Sequence, residues 1–210
     1  MVICARLFGI FQGISLVDEK LNALYTTQQK QMKHIHDSIN KVALICDCPA
    51  TDDLIIGLRL EEYIESKDVN YITANTIVET VYSICDKEMI DPLLIFSIME
   101  VESRFDVTAV SHKDAKGLMQ MVSSAVKDTS KMLDGEKFVW DNTISNIRFG
   151  VVYFSYLLER FDGNHELAII AYNIGPTIVD RLIKEKQTPP KKYVNLIYKK
   201  YFEIAQSISY

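Results

Sequence analysis

Apolar residues recur at three- and four-residue spacings along most of this chain, and that period predicts helices. Over 18–47, Ile35, Ile39, Val42 and Cys46 share one helical face behind an acidic first turn at Asp18 and Glu19, and Cys48-Pro49 ends the run. A second helix starts at Thr51 or Asp52 and ends near Ser66, with Leu54, Ile55, Leu58 and Ile64 inward. After a polar break at 68–71, further helices are expected over 75–87, 91–104, 117–130, 142–161, 165–173, 177–186 and 193–207. Ile77, Val81, Ile84 and Cys85 face inward on the first of these; Ile144, Ile147, Val151, Phe154, Leu157 and Leu158 do so on the fourth. Asp134-Gly135, Asp162-Gly163-Asn164, Gly175-Pro176 and Pro189-Pro190 supply the breaks, and 106–116 is polar and rich in loop formers. No stretch alternates over strand length. The pattern predicts a mainly α protein with residues 1–70 as an N-terminal helical extension and 71–210 as a second domain.

The amphipathic pattern fails in one place. Asp91-Pro92 reads as a helix start, an acidic cap before a proline that needs no amide partner. Leu93, Leu94, Ile95, Phe96, Ile98, Met99 and Val101 then cover nearly every face, so the helix is expected to be buried. Glu102 lies one turn beyond Ile98. Burial and the negative pole of a helix C-terminus both raise a carboxyl pKa. A carboxyl kept protonated near neutral pH is what general acid catalysis requires. The competing reading is a buried glutamate paired with Arg104 or Arg148. Glu100, on another face of the helix, reads as structural.

Composition narrows the classes. A net charge of -5 is spread along 210 residues, and no basic block suggests a nucleic-acid footprint. Lys191-Lys192 and Lys199-Lys200 read as solvated helix faces. Cys4, Cys46, Cys48 and Cys85 lack zinc-site spacing, and His34 and His36 point from different faces, so neither a metal nor a cofactor is expected. The cysteines read as small buried apolar residues. Residues 1–17 are apolar but carry Arg6 and Gln12, without a basic leader or a small-residue cleavage site. They are read as an export signal, a membrane anchor that would associate the protein with a membrane, or a core helix.

Glu102-Ser103, Gly117-Leu118-Met119-Gln120 and Ala171-Tyr172-Asn173-Ile174-Gly175-Pro176 occur in that order. Around them stand Pro92-Leu93-Leu94, Ser103-Arg104-Phe105, Asn146-Ile147 with Gly150-Val151, and Tyr193-Val194. This ordered set, over about 73–201, resembles the lytic transglycosylase (SLT) domain. Residues 1–70 carry no such likeness. The resemblance implies a lysozyme-like catalytic domain acting on peptidoglycan glycan strands. It implies cleavage of the MurNAc-GlcNAc β-1,4 bond with formation of a 1,6-anhydro end, at the periplasm or cell envelope.

The same resemblance implies roles residue by residue. Glu102 is the expected acid and then base. Ser103 orients it or touches sugar, Met119 and Gln120 border the groove near the cleavage point, and Gly117 lets the backbone come close. Tyr172 and Asn173 hydrogen-bond the acetamido group, and Tyr193 hydrogen-bonds Glu102. Each has a plainer reading: Ser103 as a helix cap, Met119 and Tyr172 as core, Asn173 as a turn residue, Trp140 as packing. Asp114-Ala115 stands where the family has Gly-Ala; aspartate tolerates left-handed backbone better than most residues, so the turn is expected to survive. Ser123 and Ala125 replace a usual Pro and Thr. Two rival functions remain at this stage. One is a lysozyme-type hydrolase with Asp114 or Asp128 holding water. The other is a non-catalytic wall-binding module whose residues 1–70 contact a cell-envelope assembly partner.

Overall fold

The computed structural model describes residues 49–209, together with Lys20, Ala23 and Thr27. The segment 1–17, the rest of the expected helix over 18–47, His34, His36, Cys4, Cys46 and Cys48 lie outside the described residues. The chain divides into two compact units, Met1–Leu58 and Arg59–Tyr210, and the second carries every candidate site residue. Among the described residues the helices are α1 (Pro49–Glu65), α2 (Tyr71–Glu88), α3 (Pro92–Glu102), α4 (Ser123–Met132), α5 (Thr143–Arg160), α6 (His165–Ile174), α7 (Pro176–Lys184) and α8 (Lys192–Ile208). None of them is long and apolar enough to cross a membrane.

Local chemistry sets the helix starts. Asn70, Asp91, Asn142 and Asn164 each accept a hydrogen bond from a backbone amide of the first turn, on Thr73, Leu93, Ser145 and Leu167 respectively. Such side-chain caps satisfy amides that the helix cannot. Asn70 starts α2 earlier than its apolar pattern begins, because the cap and not the first buried side chain fixes the start.

The core forms around α3, which packs against α2 and α8, while α5 packs against α2, α4 and α6. Ile95, Phe96, Ile98 and Met99 are fully buried. Each contributes about 1.5–3 kcal/mol relative to exposure. Cys85 is buried too, and burial pushes its thiol up to about 12, so it is an inert core residue. Two inward assignments change. Leu54 is exposed, and Ile144 is 53% exposed because the buried face of α5 is set by Asn146, Ile147, Phe149, Gly150 and Tyr153.

The main departure from the sequence reading lies at 117–130. No helix starts at Gly117; α4 begins at Ser123. Gly117 and Gln120 both have positive φ, and isolated antiparallel bridges join Lys116 to Val110 and to Met121. Gly117-Leu118-Met119-Gln120 is therefore a tight turn. Helix-forming side chains lose here to tertiary contacts that hold the backbone in another shape.

Candidate active site

Glu102 is the last residue of α3, and the chain reverses immediately after it. Arg104 and Phe105 both adopt left-handed backbone, at φ 54° and 64°, which is uncommon outside glycine. Phe105 is 1% exposed, and its burial offsets that strain. The reversal carries the chain away while leaving Glu102 at the edge of a groove of about 570 Å³. Gln120, Tyr153, Tyr172 and Asn173 line the same groove.

The carboxyl group is held by one tyrosine. The Tyr193 hydroxyl donates to Glu102 Oε1. Burial raises the Glu102 pKa, and the Tyr193 hydrogen bond opposes that rise in part. The Tyr193 and Tyr172 hydroxyls are themselves pushed well up, first by burial and then by the Glu102 carboxylate, so both stay protonated. Neither arginine weighed as a partner takes that place. Arg148 pairs with Glu136 at 2.9 Å, and Arg104 lines a separate cavity.

Replacing Tyr193 by Phe removes the one interaction that lowers the Glu102 pKa. The expected result is a basic limb of the pH-rate profile displaced to higher pH, with kcat reduced about tenfold. A profile taken across both limbs checks it.

Asn146 organises the wall. Its Oδ1 accepts from the Met119 amide at 2.9 Å, and its Nδ2 donates to the Lys116 and Trp140 carbonyls at 3.0 and 3.1 Å. Gln120 Nε2 donates to the Gly117 and Ala109 carbonyls at 2.8 and 3.0 Å. The Tyr172 hydroxyl donates to Met119 O at 2.6 Å. That single proton is thereby committed, so towards a ligand Tyr172 can only accept.

Four of the sequence-derived site residues, Ser103, Gly117, Met119 and Tyr193, do not line the groove. Ser103 Oγ lies 3.2 Å from Met99 O and 2.8 Å from Leu118 O, tying the end of α3 to the turn. Met119 is fully buried under Gly150, where an added Cβ would lie 2.2 Å from its sulfur. Gly117 faces Asn146: a Cβ there would meet Nδ2 at 2.1 Å and the Trp140 carbonyl at 2.7 Å, at φ +74°. The close approach that needs glycine is to protein, not to a ligand. Gly117→Ala should therefore destabilise the fold by about 2–4 kcal/mol in chemical denaturation. Tyr193 sits behind the groove against Glu102 and, with Asn173, borders a smaller cavity.

Asp114 adopts the left-handed φ of 59° and is 68% exposed, paired with Lys116 at 3.3 Å. It lines a different cavity, of about 510 Å³, together with Trp140. Asp128 does line the Glu102 groove, half exposed and 3.1 Å from Lys131. Sequence reasoning gave no role to Tyr153 or Asn146. Burial and then Asp128 push the Tyr153 hydroxyl up to about 12, and its ring lies 5.9 Å from that of Tyr172. The available signal was a polar side chain on the inner face of an otherwise apolar helix. Among the described residues no cluster of His, Cys, Asp and Glu could hold a metal ion.

Fold and groove together define a helical, lysozyme-like domain with a half-buried carboxyl group bordering its cleft. Residues 80–195 match the family described as Transglycosylase SLT domain, and the chain belongs to that family. A protein of Alteromonas sp. (strain M-1), named for tributyltin chloride resistance, is 38% identical over 96 residues, 42% of this chain and 44% of that one. Membrane-bound lytic murein transglycosylase C of Salmonella arizonae is 34% identical over 119 residues, 50% of this chain and 33% of that one. The structure of an inactive mutant of the lytic transglycosylase Slt from Pseudomonas aeruginosa superposes with a TM-score of 0.56 at 25% identity. It covers 62% of this chain and 24% of that one. The chain thus spans less than half the length of these curated relatives.

Proposed function

We propose that this chain is a peptidoglycan lytic transglycosylase that cleaves the MurNAc-GlcNAc β-1,4 bond and leaves a 1,6-anhydro-MurNAc end. The observation that carries the proposal is Glu102: a carboxyl group with a raised pKa, anchored by a tyrosine, beside Tyr172 and Asn173 in one groove.

With Oε1 accepting from Tyr193, the proton of the neutral acid sits on Oε2. It is delivered to the glycosidic oxygen as that bond breaks. The sugar's own acetamido oxygen attacks the anomeric carbon from the other face, so no second carboxylate is required. The Tyr172 oxygen accepts the acetamido N–H and Asn173 supports its carbonyl, which aims the internal nucleophile. Glu102, now a carboxylate, takes the proton from the C6 hydroxyl, whose oxygen closes the anhydro ring and expels the acetamido group. The carboxyl is protonated again at the end of the cycle. Gln120 borders the cleavage point. Ser103, Gly117 and Met119 shape the wall and make no contact with substrate.

This reading keeps residues 71–210 as the catalytic part, preceded by the extension over 1–70, and locates the protein where its substrate is, in the periplasm or cell envelope. Digestion of isolated peptidoglycan by the purified protein tests it. Fragments should carry anhydro ends by mass spectrometry; reducing ends, heavier by one water, would overturn it. Asp128 motivates the rival hydrolase reading because it shares the groove. Asp128→Asn should leave the product and its rate within about threefold of wild type, whereas a water-activating base loses about 10²-fold or more.

A further inference from the structure

Glu100, two residues before Glu102, faces away from the groove and does not line it. It is nonetheless a carboxylate with only 4% of its side chain exposed, and its Oε1 lies 3.5 Å from both Lys67 Nζ and Lys200 Nζ. Lys67 comes from the connection between α1 and α2, and its ammonium rests over the Tyr63 ring at 4.4 Å. Lys200 comes from α8 and is shared with Glu203 at 2.8 Å. Burying such a cluster gains little stability, because desolvation consumes most of the attraction and apolar side chains would pack as well. In some proteins a buried ionic or polar group instead fixes the register of the elements that carry it.

The register at stake is that of α3 against α8. Among the described residues, three polar side-chain contacts link α3 and its N-cap to α8: Tyr201 to Asp91 at 2.6 Å, Lys200 to Glu100, and Tyr193 to Glu102. Tyr193 and Lys200 are seven residues apart, two turns along one face of α8. Sliding or rotating α8 enough to release Lys200 would also carry the Tyr193 hydroxyl off Glu102.

We infer that Glu100 is a positioning residue: by clamping Lys200 and Lys67 it fixes α8 so that Tyr193 stays hydrogen-bonded to Glu102. The inference rests on Glu102 serving as the acid and base proposed above.

The sign of one effect separates this role from simple electrostatics. Deleting a nearby anion lowers a carboxyl pKa through charge alone. Loosening Tyr193 raises that of Glu102, because the tyrosine bond is what opposes burial. The groups facing Glu102 are Tyr193 from α8 and Tyr172 from α6, with Asp128 of α4 and Lys113 across the groove. Those facing Glu100 are Lys67, Lys200 and Tyr63, with Glu203 behind Lys200. None of these other groups changes charge in the variants below, except Lys200 where stated.

The experiment compares the Glu102 titration, followed by NMR of carboxyl-labelled glutamate, with steady-state cleavage of peptidoglycan. It uses the full chain as wild type, Glu100→Gln, Tyr193→Phe, the double variant and Glu100→Asp. Glu100→Gln should move the Glu102 midpoint upward, towards that of Tyr193→Phe, and lower kcat about tenfold with KM unchanged. The double variant should fall within about twofold of Tyr193→Phe alone, since both changes remove one interaction. Glu100→Asp, which keeps the charge, should stay within about threefold of wild type. A midpoint that falls or stays put in Glu100→Gln, or effects that multiply in the double variant, would overturn the inference. If Glu100→Gln does not fold, Lys200→Met removes the α8 half of the clamp from a partly exposed position. Loss of that cation raises the midpoint by charge alone, so the deciding result is kcat: Lys200→Met should lower it about tenfold, and Lys200→Met with Tyr193→Phe should fall within about twofold of Tyr193→Phe alone, whereas effects that multiply would overturn the inference. The titration needs no turnover, so an inactive wild type would defeat the proposed function while still leaving this inference open to refutation.

Discussion

Glu102→Gln should reduce peptidoglycan cleavage by about 10³-fold or more, because the amide can neither deliver a proton nor take one back. The same substitution should make the protein more stable at neutral pH. Burial raises the Glu102 pKa in the folded state, so folding favours the protonated form. The stability this group contributes is complete below the pKa of an unfolded glutamate. It is lost as pH rises through the higher folded value. Glutamine resembles the protonated form at every pH and removes the loss. Thermal melts at acidic and neutral pH check the sign: the gap between variant and wild type should open as pH rises. A variant less stable than wild type at neutral pH would mean that the carboxylate is well accommodated as an anion, which is unsuited to acid catalysis. Trading stability for a poised group is a common property of active sites.

Asn146→Ala should be among the most damaging changes to the fold. Asn146 is 1% exposed and makes three hydrogen bonds to backbone groups of Lys116, Met119 and Trp140. Alanine leaves those groups without this partner and opens a void, together about 3–5 kcal/mol. For a domain of this size that lowers Tm by about 10 °C. The effect should reach the chemistry, because Met119 also receives the Tyr172 hydroxyl. A melt within about 2 °C of wild type would show that the turn holds itself in shape without Asn146.

These two residues differ in how far the sequence reveals them. Glu102 is legible because it closes a mostly apolar helix and because it opens the ordered set of motifs that resembles the transglycosylase domain; the helix alone suits a paired structural glutamate equally well. The helices themselves are legible where a cap and an apolar period agree, as at Asn142. The turn at Gly117-Leu118-Met119-Gln120 is not. Its side chains suit a helix, and its shape is imposed by Asn146 and by Tyr172, which lie far along the chain. The link from Tyr193 to Glu102 came into view only through the family resemblance, since no local pattern connects two helices so distant in sequence. For Ser103, Gly117 and Met119 the motif signals that the residue matters but not what it touches, and all three contact protein. Glu100 is the reverse case. Its face on the helix reads as structural, and only the approach of Lys67 and Lys200 gives that placement a consequence.

The proposed chemistry requires a carboxyl group that keeps its proton until a glycan occupies the groove. Site-resolved titration of Glu102 in the unliganded protein, with the resonance assigned by its loss in Glu102→Gln, measures that property without an assay. The midpoint should lie above the range of solvent-exposed glutamates. A midpoint within or below that range would contradict the account, whatever products the protein releases.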